Sequence, residues 1–179
     1  SDTAVSILPV VMKFFSNEKF LNSLKVLVDC CITLSKLSEQ RGKKNEDESI
    51  SDHDEIIIAF ITCNNGMIIP QLIQLFLTYI ERANNFYINE IRMKILRTIG
   101  NLLVGSHEKT KMILNKIGQQ VLYTILSDGV HSNKIGICSE CCYIISNLTG
   151  GNFEQRRGIL QVPNLMNSVA TFLQQPETP

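Results

Sequence analysis

Two pairs of side chains in this sequence have the types and the spacing that recognition of an extended peptide would use. Arg97 precedes Asn101 by four residues and Tyr143 precedes Asn147 by four, so each pair lies on one face of a helix. An Asn side chain offers both a donor and an acceptor, which can satisfy the unpaired backbone groups of an extended peptide without reading its sequence. An aromatic ring one turn earlier provides a flat surface on which the aliphatic stem of a peptide Lys or Arg can pack, with its charge near the ring face. The two pairs therefore predict a repeated peptide contact.

The same asparagines also allow an architectural interpretation. Asn101 and Asn147 could instead hydrogen-bond loop carbonyls near helix ends within the chain. The small residues directly before them, Gly100 and Ser146, allow a close approach of either an adjoining helix or a peptide backbone. The residue types alone leave both interpretations open.

Patterns that are typical of catalysis or of metal binding are missing. There is no nucleophile elbow and no phosphate-binding glycine loop, and the three His residues fall in predicted loops. The six Cys residues form two clusters and a singleton without further ligands at zinc-finger spacing, so we expect buried helical thiols in a reducing compartment. We therefore predict no enzyme activity, no metal and no cofactor.

Charge and hydropathy argue against two classes of partner. Lys plus Arg and Asp plus Glu both number 17, and no basic block favours nucleic acid. The apolar runs are shorter than the roughly 20 residues of a membrane-spanning helix, and we expect no signal peptide at the start. Neither nucleic acid nor a membrane is an expected partner.

We expect the candidate side chains to lie on helices. Apolar residues recur with a helical period along almost the whole chain, and strand patterns are absent. A short helix, a turn, a middle helix and a longer third helix follow one another repeatedly. The predicted helices of the two best-formed units cover 54–62, 69–80 and 89–104, then 108–116, 121–126 and 134–149. This order predicts an all-α, right-handed superhelical solenoid of about three to four armadillo-type repeats.

The predicted division of the chain follows from these units. Residues 1–38 form a partial repeat with helices over 7–15 and 19–38, and residues 39–53 an acidic and polar flexible insertion. Two repeats follow over 54–105 and 106–150, then a partial repeat over 151–179 with helices over 153–160 and 165–173. Both ends are expected to be cut within a repeat. A stacked array of this kind builds a continuous concave surface from its third helices.

Two segments resemble the middle-to-late repeats of the importin-α (karyopherin-α) family. They are residues 96–105 (LRTIGNLLVG) and residues 140–152 (ECCYIISNLTGGN). In that family, an Arg-containing repeat followed by an aromatic-and-Asn repeat forms part of the minor site for nuclear localisation signals. Carried over by position, the resemblance implies a peptide-binding set of Arg97, Asn101, Leu103, Val104, Gly105 and Thr110 in the first repeat, and Glu140, Tyr143, Ser146 and Asn147 in the second.

This sequence departs from the family pattern at three positions. Tyr143 stands where the family usually has Trp, which leaves a smaller aromatic wall, and Ile32 and Lys36 replace two aromatic residues of the preceding repeat. The resemblance implies a nuclear import adaptor that binds basic nuclear localisation signal peptides, engages importin-β through a segment absent from this chain, and shuttles between cytoplasm and nucleus. The alternative is an armadillo-repeat protein-protein interaction scaffold without a nuclear-transport role.

Overall fold

The described part of the chain is helical. The computed structural model describes residues 2–15, 17–39, 52–80, 85–104, 106–132 and 134–174. Within these ranges there are eleven helices and no strand: α1 (Asp2–Phe15), α2 (Glu18–Leu21), α3 (Leu24–Ser38), α4 (Asp52–Gly66), α5 (Ile68–Ile80), α6 (Phe86–Leu102), α7 (His107–Ile117), α8 (Gln119–His131), α9 (Ile135–Thr149), α10 (Phe153–Leu160) and α11 (Leu165–Leu173). Residues 40–51 of the predicted insertion lie outside the described residues, as does Gly105.

The predicted turn between the first and second helices of the best-formed unit is present. The helical geometry of α4 breaks at Cys63, and Asn64 and Asn65 adopt left-handed φ angles of 53° and 56°. Asn tolerates this conformation better than most residues because its short polar side chain can hydrogen-bond locally. The chain thereby bends by 80° between α4 and α5. No single helix in the described ranges is long and apolar enough to cross a membrane, although this bent pair meets the length and composition criteria.

Two predicted helix boundaries were wrong. The helix predicted over 19–38 is divided, because Ser23 has an extended backbone (φ −104°, ψ 96°) between α2 and α3. The loop predicted over 127–133 is helical as far as His131. There, Gly129 and Val130 are buried and their carbonyls accept hydrogen bonds from the Cys138 thiol of α9. Packing against α9 thus outweighs the weak helix propensity of the Ser-Asp-Gly sequence.

The expected loop positions of the three His residues were also wrong. His107 is the first residue of α7 and His131 the last of α8, while His53 lies within α4.

The third helices of successive units stack on one another. The most extensive contacts between elements join α3 to α6 and α6 to α9. Leu34, Ile95 and Ile144, one from each of these helices, are at most 1% exposed and belong to one apolar cluster that continues through the units. A unit of this kind cannot bury its apolar face alone, so the neighbouring units stabilise one another. The stacking brings the last turns of α6 and α9 side by side, which is where the candidate residues lie.

Candidate functional site

Arg97 and Glu140 form an ion pair between α6 and α9 that contains one hydrogen bond. Arg97 Nη2 donates to Glu140 Oε1 at 2.9 Å, and Arg97 Nε lies 2.8 Å from Glu140 Oε2. The guanidinium carbon of Arg97 also lies 4.9 Å from the centroid of the Tyr143 ring. An ion pair with one hydrogen bond, placed over an aromatic face, is a favourable arrangement for an arginine. The cation site that the sequence predicts at Tyr143 therefore holds a cation of the chain itself.

The Glu140 carboxyl lies in a partly desolvated position. Burial raises its pKa above the ordinary value, and the negative charge of Glu39 adds to this rise. The charge and the hydrogen bond of Arg97 and the charge of Lys94 lower the pKa, but by less. Its side chain is 13% exposed, compared with 38% for Arg97. Without Arg97, the ionised carboxylate would stand half-buried with its strongest partner removed.

Asn101 uses both ends of its side-chain amide inside the chain. Its Nδ2 donates to Ser38 Oγ at 2.9 Å and, in a longer bond of 3.4 Å, to the backbone oxygen of Ser35. Its Oδ1 accepts from the hydroxyl of Tyr143 at 3.1 Å. The residue is 6% exposed. Asn101 therefore joins three successive third helices within the chain, and its partners are two hydroxyls and a helical carbonyl where the architectural interpretation expected loop carbonyls.

Asn147 repeats part of this arrangement one unit later. Its Nδ2 donates to the backbone oxygen of Gly100 at 2.9 Å, so that both asparagines bond a carbonyl near the end of the preceding third helix. These carbonyls already accept from the backbone N–H groups of Glu39 and Leu103, so each asparagine adds a further donor to a carbonyl in the last turn of a helix. Asn147 is half-buried, and within the described ranges its Oδ1 makes no hydrogen bond. The Asn147 amide therefore keeps an acceptor that a ligand can use.

Gly100 allows the close approach of α9 to α6. A Cβ added to Gly100 would lie 2.6 Å from Cδ1 and 2.7 Å from Cε1 of Tyr143. Such distances are far below van der Waals contact, so the missing side chain makes room for the ring. The sequence allowed Gly100 to admit either an adjoining helix or a peptide backbone, and the structure places the adjoining helix α9 against it.

A cavity of 480 Å³ lies beside these contacts, between the ends of α6 and α9 and the starts of α7 and α10. Half of its lining consists of residues from the sequence-predicted set: Leu103, Val104, Thr110, Ser146 and Asn147. The other half was not predicted: His107, Gly150, Gly151, Asn152 and Gln155. The structure thus gathers five predicted residues at one cavity, while Arg97, Asn101, Glu140 and Tyr143 form the neighbouring network outside its lining and Gly105 is not described.

A local signal in the sequence could have indicated two of the missed residues. Asn152 accepts from the backbone of Gln155 at 2.9 Å, and Gln155 Oε1 accepts from the backbone of Asn152 at 3.1 Å, which forms a capping box at the start of α10. Asn followed three residues later by Gln before a helix is the sequence signature of this motif. His107, which contacts the Asn152 side chain, has no comparable signature.

Among the described residues, the cavity lining carries no carboxylate and no Lys or Arg side chain. Its polar groups are hydroxyls, amides and the His107 ring, beside the apolar side chains of Leu103 and Val104. Thr110 Oγ1 already donates to the Leu103 carbonyl in a long bond of 3.4 Å. The cavity can therefore receive a side chain with an apolar stem and a hydrogen-bonding end, with neutral oxygens as its acceptors.

The thiols lie apart from any metal arrangement in the described ranges, where no three His, Cys, Asp or Glu side chains converge. Four of the six Cys residues are buried, as expected, whereas Cys63 and Cys142 are half-buried. Burial raises the pKa of the Cys31 and Cys141 thiols far above the ordinary value.

Triplets of helices whose third members stack define an armadillo-repeat helical solenoid, and solved structures confirm this fold. A designed armadillo repeat protein in complex with the peptide (KR)4 superposes with a TM-score of 0.68 at 14% identity, covering 95% of this chain and 58% of that one. A second designed armadillo repeat protein superposes with a TM-score of 0.63 at 16% identity, covering 90% and 54%.

A sequence relative gives a weaker and more specific likeness. The importin subunit alpha-1a of Oryza sativa subsp. japonica is 28% identical over 139 residues, which are 78% of this chain and 22% of that protein. This chain thus corresponds to about a fifth of the length of that relative. No protein-family model matches the chain. The fold is therefore armadillo-type and similar to that of importin-α.

Proposed function

We propose that this chain is a peptide-binding armadillo module of a nuclear import adaptor, which holds basic nuclear localisation signals in extended form across α6 and α9. The observation that carries this proposal is the cavity, because it brings residues from two separate repeats, Leu103, Val104 and Thr110 with Ser146 and Asn147, around one space. The likeness to an importin α subunit and to a designed armadillo protein that holds a Lys/Arg peptide supports it.

In this proposal, Asn147 holds the peptide backbone and the cavity receives one side chain. The unused Oδ1 of Asn147 accepts a peptide N–H while its Nδ2 stays bonded to the Gly100 carbonyl. A lysine entering the cavity places its methylenes against Leu103 and Val104 and its ammonium among the neutral oxygens of the rim. The amide is held by its own repeat array before the ligand arrives, which reduces the entropy lost on binding.

The module has no enzymatic role in this proposal, and it uses neither a metal nor a cofactor, nor does it bind nucleic acid or a membrane. The whole protein would shuttle between cytoplasm and nucleus, with importin-β as a partner that binds outside these residues.

Titration with a labelled peptide tests the proposal. Fluorescence anisotropy with the peptide (KR)4 should show saturable binding that weakens as NaCl rises from about 0.1 to 0.5 M, because screening reduces the attraction of exposed charges. Asn147→Ala should weaken binding about tenfold, since it removes a hydrogen bond to the peptide and disturbs the Gly100 contact. Thr124→Ala is the matched control, because that hydroxyl bonds only to the Gln120 carbonyl of its own helix and lies away from the cavity.

Two results would contradict the proposal: no binding of the basic peptide, or binding to Asn147→Ala with wild-type affinity. A circular dichroism melt of each variant shows whether a weaker affinity comes from a lost contact or from partial unfolding.

Two observations favour the second candidate, a scaffold for peptides that are not basic. None of the described residues that line the cavity is a carboxylate, and the Tyr143 ring faces the chain's own Arg97. A scaffold would bind a peptide in which every Lys and Arg is replaced by Gln at least as tightly as the basic peptide, and with little dependence on salt. The same titration therefore separates the two functions.

A further inference from the structure

The arrangement of Arg97 on Tyr143 and Glu140 matches the arrangement that a bound arginine would adopt. The guanidinium donates one hydrogen bond of 2.9 Å to Glu140 Oε1, lies 2.8 Å from its Oε2, and lies 4.9 Å from the centre of the Tyr143 ring. Carboxylate pairing and aromatic stacking are the two interactions by which proteins select arginine over lysine. The chain thus places its own side chain where the guanidinium of a ligand would bind.

We infer that Glu140 and Tyr143 form an arginine-binding subsite that the chain itself closes with Arg97, so that a peptide arginine enters by displacing this side chain. The inference rests on the proposed function for the identity of the ligand as a basic peptide. To the proposed function it adds a subsite beside the cavity that Arg97 of the same chain occupies. This occupancy controls how tightly arginine-rich segments bind.

A ligand can displace the Arg97 side chain from the subsite, because Glu140 is its only hydrogen-bonding partner among the described residues. The side chain is 38% exposed, and within the described ranges its polar atoms bond to no residue other than Glu140. An ion pair with that exposure contributes little net stability, since water and salt compete for both charges. Arg97 can therefore swing towards solvent without breaking a backbone hydrogen bond of the solenoid.

The receptor half of the subsite stays in place when Arg97 leaves. Tyr143 is held by the hydrogen bond of its hydroxyl to Asn101 Oδ1 and by its contact with Gly100. Glu140 is 13% exposed on α9, one turn before Tyr143, with Lys94 and Glu39 as its other charged neighbours. The carboxylate and the ring thus remain preorganised for an incoming guanidinium.

Arg97→Met tests the inference, because methionine keeps an unbranched apolar stem and removes the guanidinium. Binding of an oligo-arginine peptide should become about fivefold tighter than in the wild type, as expected when a partly exposed ion pair and a cation–π contact no longer compete. An oligo-lysine peptide of the same length should gain less, since a planar guanidinium can stack on the Tyr143 ring while it pairs with Glu140, and a compact ammonium cannot. Lys36→Met is the matched control: it removes one positive charge from an exposed position on the neighbouring α3.

Equal gains in Arg97→Met and Lys36→Met, or equal gains for arginine and lysine peptides, would overturn the inference, because net charge would then explain the effect. Asn147-dependent binding of basic peptides to the wild type would leave the proposed function intact in that case.

A second measurement needs no peptide, so it tests the arginine-binding subsite even if the proposed function is wrong. Ethylguanidinium at millimolar concentration should raise the melting temperature of Arg97→Ala, by refilling the subsite, and should not raise that of the wild type or of Arg97→Ala/Glu140→Gln. Absence of this rescue would show that Glu140 and Tyr143 do not bind a free guanidinium, which overturns the inference independently of any peptide.

Discussion

Substitution of Asn101 by Ala should lower stability more than the same substitution at the equivalent Asn147. Asn101 is 6% exposed and makes hydrogen bonds of 2.9, 3.1 and 3.4 Å to Ser38, Tyr143 and the Ser35 carbonyl. Two good hydrogen bonds contribute about 1 kcal/mol each, and the long third one adds little. The expected loss is about 2–3 kcal/mol, which for a chain of this size lowers the melting temperature by about 5–10 °C.

The matched variant Asn147→Ala loses one hydrogen bond, to the Gly100 carbonyl, from a half-buried position, so about 1 kcal/mol is expected. Urea unfolding followed by far-ultraviolet circular dichroism gives the free energy of unfolding of both variants, and comparison of the slopes shows whether the transitions are comparable. Asn101→Asp should be at least as destabilising as Asn101→Ala, because a carboxylate cannot donate to Ser38. A smaller loss for Asn101→Ala than for Asn147→Ala would refute the assignment of Asn101 to the architecture.

Three further predictions concern the packing and titration of the same region. Gly100→Ala should destabilise the protein by about 1 kcal/mol despite its better helix propensity, because the new Cβ would lie 2.6 Å from the Tyr143 ring, and thermal unfolding measures this loss. Cys63 should react with iodoacetamide at pH 8 well before Cys141, whose pKa is raised by burial; mass spectrometry of timed samples checks the order, and equal rates would contradict it. Burial raises the pKa of Glu140, so its contribution to stability is present below the ordinary carboxyl pKa and is lost as pH rises through the folded-state pKa. The free energy of unfolding relative to Glu140→Gln should therefore fall as pH rises above the ordinary carboxyl pKa, and a rise would refute the sign.

Most of the fold follows from patterns that are local in the sequence. The helical period of the apolar residues and the Asn64-Asn65-Gly66 turn predicted the order of helices, because each signal acts within a few residues. The end of α8 could not be predicted in this way. Its Ser-Asp-Gly stretch has a weak helix propensity, and it is helical because Gly129 packs against Cys141 and accepts a hydrogen bond from Cys138, both on the following α9.

The sequence predicted which residues lie near one another at the ends of α6 and α9, but not most of the partners that these residues bond. The spacing of Asn101 and Asn147 places both at the ends of stacked third helices, and the resemblance to importin-α selects further residues that line one cavity. The roles of the two asparagines depend on partners in other repeats. Ser38 and Tyr143, 63 and 42 residues away from Asn101, occupy its amide, and no local pattern reports contacts at such separations.

A ladder of hydrogen bonds between repeats explains why two asparagines in equivalent positions differ in what they can bind. Each donates to a carbonyl in the last turn of the preceding third helix, so in both residues the Nδ2 atom stabilises the packing of neighbouring repeats. What remains for a peptide is the Oδ1 end, and its availability depends on the residue that the next repeat places over it. The Tyr143 hydroxyl covers the Oδ1 of Asn101, while the described residues place no donor on that of Asn147. Tyr143 therefore acts on the repeat before its own, where its ring lies against Arg97 and its hydroxyl occupies the Oδ1 of Asn101.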